Sequence, residues 1–169
     1  MEPKVAIVMG SKSDFPKVKA ATDMLDEFEI PYTLKIFSAH RTPNALADFI
    51  YEVDDSSNYK VIIAAAGMSA ALAGAIAAHT IKPVIGIPIS GSKLDGIDAL
   101  LSTVQMPPGL PVACVGIDAA KNAALQAISI IALSDEDIAN ALWNFRTAQS
   151  QKVLKSNDEP FDAELKFRV

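Results

Sequence analysis

With 169 residues, half of them apolar and only 7% aromatic, the chain is long enough to bury one full core built from Ala, Ile, Val and Leu. A formal charge of −5 argues against general nucleic-acid binding, which needs a basic face, and leaves room only for a local basic pocket around one phosphate. The single cysteine, Cys114, excludes an intrachain disulfide and fits a reducing, cytoplasmic compartment; in its apolar run it reads as buried packing rather than a nucleophile.

Met1-Glu2-Pro3-Lys4 lacks the layout of a signal peptide. Val5-Ala6-Ile7-Val8-Met9 is then a continuous apolar run closed by Gly10, the pattern of a parallel strand buried on both faces. A helix is predicted over residues 14–28, with Val18, Ala21, Met24, Leu25 and Phe28 at helical spacing. Between the two, Gly10-Ser11-Lys12-Ser13-Asp14 offers hydroxyls and free helix-start N–H groups as a phosphate cradle. The alternative is that Ser13 merely caps the helix. It is not a Walker A loop, because Ser11 and Ala6 stand where that motif needs glycine. Asp14 either complements the helix dipole or binds a ribose hydroxyl.

Residues 32–37 read as the second strand, and Ser38-Ala39-His40-Arg41-Thr42-Pro43 follows it. Thr42 is placed as the N-cap of the next helix and Pro43 at its first position. His40, one of two histidines, therefore sits on a strand-to-helix loop, where open α/β proteins carry their chemistry. An imidazole beside the Arg41 guanidinium points to proton transfer next to a bound anion. Leu46, Phe49, Ile50 and Val53 mark the second helix.

Residues 61–66 form the third predicted strand and 69–79 a helix of small residues. The uncharged run over 61–78 approaches membrane-spanning length, but it is mostly Ala and Gly and is broken at Gly67-Met68-Ser69, so no span is expected. Gly67-Met68-Ser69-Ala70-Ala71 loosely resembles a nucleophile elbow. Only His79 follows it, within the same predicted helix, which leaves no triad; His79 reads as structural. A strand at 84–87, a helix at 97–105, a strand at 111–115 and a helix at 119–133 complete the alternation. The segment 96–109, with its Pro107-Pro108-Gly109, is either a rigid turn or a lid. A last amphipathic helix over 135–154 carries Ile138, Leu142, Trp143 and Phe145, with Ser134 as its cap and Asp137 three residues on. It either covers its own sheet or docks on a neighbouring subunit.

Five strand–helix alternations predict an α/β fold: a three-layer, doubly wound parallel sheet with an extending C-terminal helix. A flavodoxin-like order 2-1-3-4-5 would bring the loops at Gly10, Ser38 and Gly67 to one crevice. The reading is one domain over residues 1–155, followed by a polar tail at 156–169. No GxGxxG run is present, and two histidines and one cysteine at these spacings make no zinc site.

Five blocks, taken together, resemble the N5-carboxyaminoimidazole ribonucleotide mutase family of purine biosynthesis. They are the Met9 to Asp14 stretch Met-Gly-Ser-Lys-Ser-Asp, the Ser38 to Pro43 stretch, Pro83-Val84-Ile85-Gly86-Ile87-Pro88, the block from Leu100 to Pro107, and Lys121-Asn122-Ala123-Ala124. The resemblance implies a carboxylate shift from the exocyclic nitrogen to ring carbon C4 of an aminoimidazole ribonucleotide. It implies that His40 is the general acid/base and that Ser11, Ser13, Ser38 and Arg41 hold the ribonucleotide, chiefly its phosphate. Asp14 would take the ribose, and the 67–74 loop, with Gly67, Met68, Ser69 and Leu72, would frame the base and CO2. It further implies a cytoplasmic homo-octamer using no metal or organic cofactor. One departure stands out: where mutases usually read Ala-Gly-Gly-Ala-Ala-His-Leu-Pro-Gly, this chain has Ala71 in place of the histidine. That loop looks more like the sister branch, which carboxylates aminoimidazole ribonucleotide directly with CO2. Arg41-Thr42-Pro43 and Val104-Gln105-Met106-Pro107 look like the mutase, which is the reading taken. A non-catalytic flavodoxin-like nucleotide-binding module is the rival from another class.

Overall fold

The apolar run of the first strand, β1 (Val5–Met9), is buried along its whole length because it has a parallel neighbour on each side. In the computed structural model, which describes residues 2–157, β1 pairs with β2 (Tyr32–Ile36) and with β3 (Val61–Gly67). β4 (Val84–Ile89) and β5 (Ala113–Cys114) extend the sheet in the order β2-β1-β3-β4-β5, all parallel. This is the doubly wound, flavodoxin-like arrangement the alternation predicted.

Period-two alternation divides the strands between two cores. Val5, Ile7, Met9, Val61, Ile63, Ile85 and Ile87 face α1 (Phe15–Glu27), α5 (Ala120–Ile131) and the start of α6 (Glu136–Lys155). Ala6, Val8, Ile62 and Ala64 face α2 (Pro43–Asp55) and α3 (Leu72–Ala77). Each fully buried Ile contributes about 1.5–3 kcal/mol by leaving water. On the second face α4 (Ile97–Val104) lies so close that a Cβ on Gly86 would sit 2.3 Å from Thr103 Cγ2; the glycine makes room for the helix.

Four local expectations need correction. β5 spans two residues rather than 111–115, because Pro111 has no N–H for the ladder and the strand lies at the sheet edge. Cys114 is accordingly half-buried rather than buried; desolvation still pushes its thiol pKa up and favours the inert protonated form. The helix after β3 begins at Leu72, not Ser69, because Met68 takes a left-handed φ of 58° and the chain turns before it can coil. The cap of α6 is Asp135, which accepts the Ile138 N–H at 3.2 Å, and Ser134 donates back to Ile131 O instead.

Along α6, Leu142 is buried, and Ile138 and Phe145 pack against the first core, with Phe145 edge-on to Phe28 at 5.7 Å. Trp143 points away and is 69% exposed, so the apolar stripe is narrower than the spacing suggested. A Lys4–Asp135 ion pair of 2.9 Å ties the start of the helix to the strand-one side of the sheet. Every residue from Arg146 to Asn157 is exposed, so the second half of the helix extends off the domain. Most of the predicted polar tail lies outside the described residues. Among those described, no helix is long and apolar enough to cross a membrane.

Candidate active site

The carboxyl ends of β1 to β4 open into a cleft of about 840 Å³ at the point where the chain winds in opposite directions from β1 and β3. All ten residues singled out from the sequence line it: Ser11, Ser13 and Asp14 after β1, Ser38, His40 and Arg41 after β2, and Gly67, Met68, Ser69 and Leu72 after β3.

The first wall is a single 3-10 turn at Lys12–Asp14 leading into α1. Its cap is Ser11 rather than Ser13: Ser11 Oγ accepts the Ser13 N–H at 3.3 Å and the Ser13 hydroxyl at 2.8 Å. Asp14 Oδ2 accepts the Ser11 N–H at 3.0 Å, completing a capping box. Burial pushes the Asp14 carboxyl pKa above its ordinary value, against the lowering influence of the Ser11 N–H, the Ser13 hydroxyl and the Lys17 ammonium. Two hydroxyls and a carboxyl are thus gathered at a helix start.

The second wall is organised around Ser38. Its Oγ accepts both the backbone N–H of Arg41, at 3.2 Å, and the guanidinium Nε, at 3.4 Å. Thr42 occupies the predicted cap position of α2, and its carbonyl accepts the Leu46 N–H. Its hydroxyl, however, turns back to Ser38, accepting the Ser38 N–H at 2.9 Å and donating to the Ser38 carbonyl at 3.1 Å. The loop is therefore closed on itself, with His40 exposed at the tip facing the cleft. Such an arrangement offers an exposed imidazole next in sequence to an arginine whose Nε is held by Ser38.

The cleft bottom is main chain. A Cβ on Gly67 would lie 3.0 Å from the Ile89 carbonyl, so the ends of β3 and β4 pack backbone to backbone there. Met68 projects from this point, 68% exposed.

Sequence reasoning missed a third wall. Lys17, Ser90, Gly91 and Ser92 also line the cleft. Lys17 donates to Ser90 Oγ and lies 3.0 Å from Asp118 Oδ2, which itself accepts from the Ser90 hydroxyl. Desolvation raises the Asp118 pKa, but bonds from Ser90 and the Lys17 ammonium outweigh it and hold the carboxyl below its ordinary value. Two signals pointed there: Lys17 stands one turn after Asp14, and Ser90-Gly91-Ser92 follows a buried strand at its carboxyl end. The 96–109 segment does not reach the cleft: α4 occupies most of it, and Leu110 closes a turn on Pro107 at 3.3 Å. His79 also lies elsewhere, its Nδ1 3.1 Å from the Tyr51 hydroxyl. Among the described residues no cluster of three or more His, Cys, Asp or Glu is grouped as a metal site.

Residues 4–152 match the family described as AIR carboxylase. The N5-carboxyaminoimidazole ribonucleotide mutase of Pyrococcus abyssi is 50% identical over 144 residues, covering 85% of this chain and 82% of its own length. That of Aliivibrio fischeri is 47% identical over 161 residues, covering 94% and 99%. A crystal structure of Treponema denticola PurE superposes with a TM-score of 0.85 at 32% identity, covering 98% of this chain and 99% of the other.

Proposed function

The chain belongs to the AIR carboxylase family, and from that premise we propose that it acts as an N5-carboxyaminoimidazole ribonucleotide mutase, an isomerase of purine biosynthesis. The observation that carries this reading is near-full-length identity of 46–50% to several proteins bearing that name. The cleft supplies a matching set of groups.

Ser11, Ser13, Ser38 and Arg41 hold the phosphate, the three hydroxyls and the guanidinium converging from two loops. Asp14 takes a ribose hydroxyl. Binding at these remote groups orients the ring, so that reaction becomes a matter of local bond changes. Gly67, Met68, Ser69 and Leu72 frame the base and the small space in which CO2 is kept.

His40 moves the proton. Protonation of the exocyclic nitrogen accompanies cleavage of its bond to the carboxylate, leaving aminoimidazole ribonucleotide and CO2. Ring carbon C4 then attacks the CO2 and forms the new C–C bond. The proton displaced from C4 returns to the imidazole, so that one proton passes from carbon to nitrogen in each turnover and no external acid is consumed. General acid/base catalysis of this kind contributes about 10²–10⁴-fold.

Assembly as a homo-octamer in the cytoplasm is part of the proposal. It is supported by apolar side chains left in water by a single chain: Leu94, Ile97, Leu101 and Val104 around α4, and Leu133, Trp143, Val153 and Leu154 around α6. The free thiol of Cys114 suits a reducing compartment.

Direct carboxylation of aminoimidazole ribonucleotide is the second reading, favoured by Ala71 at the position where the mutase loop usually has histidine. The two are separated by assaying N5-carboxyaminoimidazole ribonucleotide without added bicarbonate beside aminoimidazole ribonucleotide with CO2. Fast conversion of the first alone is the expected result. Efficient conversion of the second at low CO2 would replace the mutase by the carboxylase. A His40→Asn protein should fold, bind ribonucleotide and turn over at least about a hundredfold more slowly; a drop of two- or three-fold would remove His40 from this role, and a wild type that binds ribonucleotide without converting it would favour a pure binding module.

A further inference from the structure

The end of β4 is fixed from several sides at once. Asp118 donates its backbone N–H to the Pro88 carbonyl at 2.9 Å and accepts the Ser90 N–H on Oδ1 at 2.9 Å, bracketing Ile89. Its other oxygen takes the Ser90 hydroxyl and the Lys17 ammonium. The bracketed Ile89 carbonyl is the group that abuts Gly67 at the cleft bottom. Beyond Ser90 the chain folds back tightly: Gly96, at φ 89°, has no room for a Cβ, which would fall 2.8 Å from Ile117 Cγ2 and 3.1 Å from Ser90 Cα.

Two features say that this clasp serves position more than stability. The Lys17 and Asp118 side chains are each one-third exposed, where an ion pair adds little to folding. Asp118 nevertheless keeps a left-handed φ of 55°, a conformation that costs a non-glycine residue energy and persists where the surroundings demand it.

We propose that Lys17 is a positioning residue for the reaction: clasped to Ser90 and Asp118, it fixes the β4 end as the cleft wall opposite His40 and so sets the affinity for the ribonucleotide. The proposal rests on the mutase reading. Lys17 acts through Ser90 and needs no contact with substrate.

The test is steady-state kinetics with N5-carboxyaminoimidazole ribonucleotide, and binding of aminoimidazole ribonucleotide by calorimetry, on Lys17→Met, Lys17→Arg, Ser90→Ala and Asp118→Asn, each with its Tm. Because a partly exposed pair is worth little, its loss predicts a KM and Kd raised about two- to fivefold in Lys17→Met, with kcat nearly unchanged and Tm near native. Lys17→Arg should recover most of the affinity. Asp118→Asn should weaken binding too, and combining it with Lys17→Met should add little. Unchanged KM and Kd, whether or not Tm falls, would overturn the proposal. So would tighter binding in Asp118→Asn, which would mean that Lys17 touches the anionic substrate directly. If Lys17→Met does not fold, Ser90→Ala decides, since it removes only the hydroxyl and must raise Kd. If the wild type binds but does not convert the ribonucleotide, the mutase reading fails, and the calorimetric comparison alone judges Lys17.

Discussion

The Asp14 carboxylate accepts the backbone N–H of Ser11 at 3.0 Å, so the residue assigned to the ribose also holds the turn assigned to the phosphate. In the proposed site one side chain thus couples two parts of the ligand. Replacing it should disturb both.

Asp14→Ala is expected to raise the ribonucleotide KM by about 10–100-fold, the size of one to two charge-assisted hydrogen bonds. Asp14→Asn should lose less, because its amide oxygen can still accept the Ser11 N–H. Equal losses in the two variants, measured by initial rates, would show that the turn does not depend on this bond.

Thr42 meets Ser38 through both its backbone and its hydroxyl, and that double contact closes the loop carrying His40. Thr42→Val keeps the shape and removes the hydroxyl bonds. A fall of about 2–10-fold in kcat/KM is expected, from the net worth of about 0.5–1.5 kcal/mol per bond, with Tm changed by only a few degrees. Unaltered kcat/KM would mean that the loop is held without Thr42.

How much of this was legible follows from distance along the chain. β1 and the helix after it could be read from an apolar run and from spacing, because a strand buried on both faces leaves no polar position. The Ser38–Pro43 loop was legible because Thr42-Pro43 announces a helix start. Lys17, Ser90 and Asp118 were not, because their meeting depends on the ends of β4 and β5 being neighbours and no short motif spans them. The cap at Asp135 was missed for a smaller reason: Ser134 and Asp135 are both good caps, and only the chain direction decides between them. Trp143 was misjudged because it lies on the side of α6 turned away from the core, although Leu142 and Phe145 on either side of it pack there.

Gly86 lies in a central strand under α4, with Thr103 and Ala73 against it. Gly86→Ala is expected to cost about 1–3 kcal/mol by overpacking, lowering Tm by several degrees. Differential scanning calorimetry reads this directly; a Tm equal to wild type would mean that α4 moves away freely.

Acid should act on Asp118 and Asp14 in opposite directions. The Asp118 pKa is lowered in the folded protein, so its stabilisation is present above the unfolded carboxyl value near 4 and lost as pH falls through the lower folded value. The Asp14 pKa is raised, so its contribution is present below the unfolded value and lost as pH rises through the folded one. In urea titrations at a series of acidic pH values, Asp118→Asn should flatten the loss of stability below about pH 4, and Asp14→Asn should steepen it. Identical profiles for all three proteins would contradict both shifts. The Asp118 effect should be modest, because its pair with Lys17 is partly exposed.

Assembly can be probed on the exposed side of α6. Trp143 and Val153 are both 69% exposed in a single chain. The double variant Trp143→Asp with Val153→Asp should leave the far-UV spectrum close to native while light scattering shows a smaller particle and Tm falls with the lost contacts. A variant that keeps the wild-type mass would move the subunit contact away from this helix.

Gly67 against the Ile89 carbonyl has a consequence for redesign. A bottom made of main chain resists reshaping by exchange of side chains, since a Cβ at Gly67 would sit 3.0 Å from the Ile89 carbonyl and force the end of β4 to give way. Around the base, what the cleft accepts is more readily altered from above, at Met68, Ser69 and Ala71. Of these Met68 is the most open to change: it packs against little, and its left-handed backbone already suits glycine. Libraries aimed at a new ribonucleotide or a new one-carbon donor should therefore be drawn around the lip of this vessel, with its base left alone.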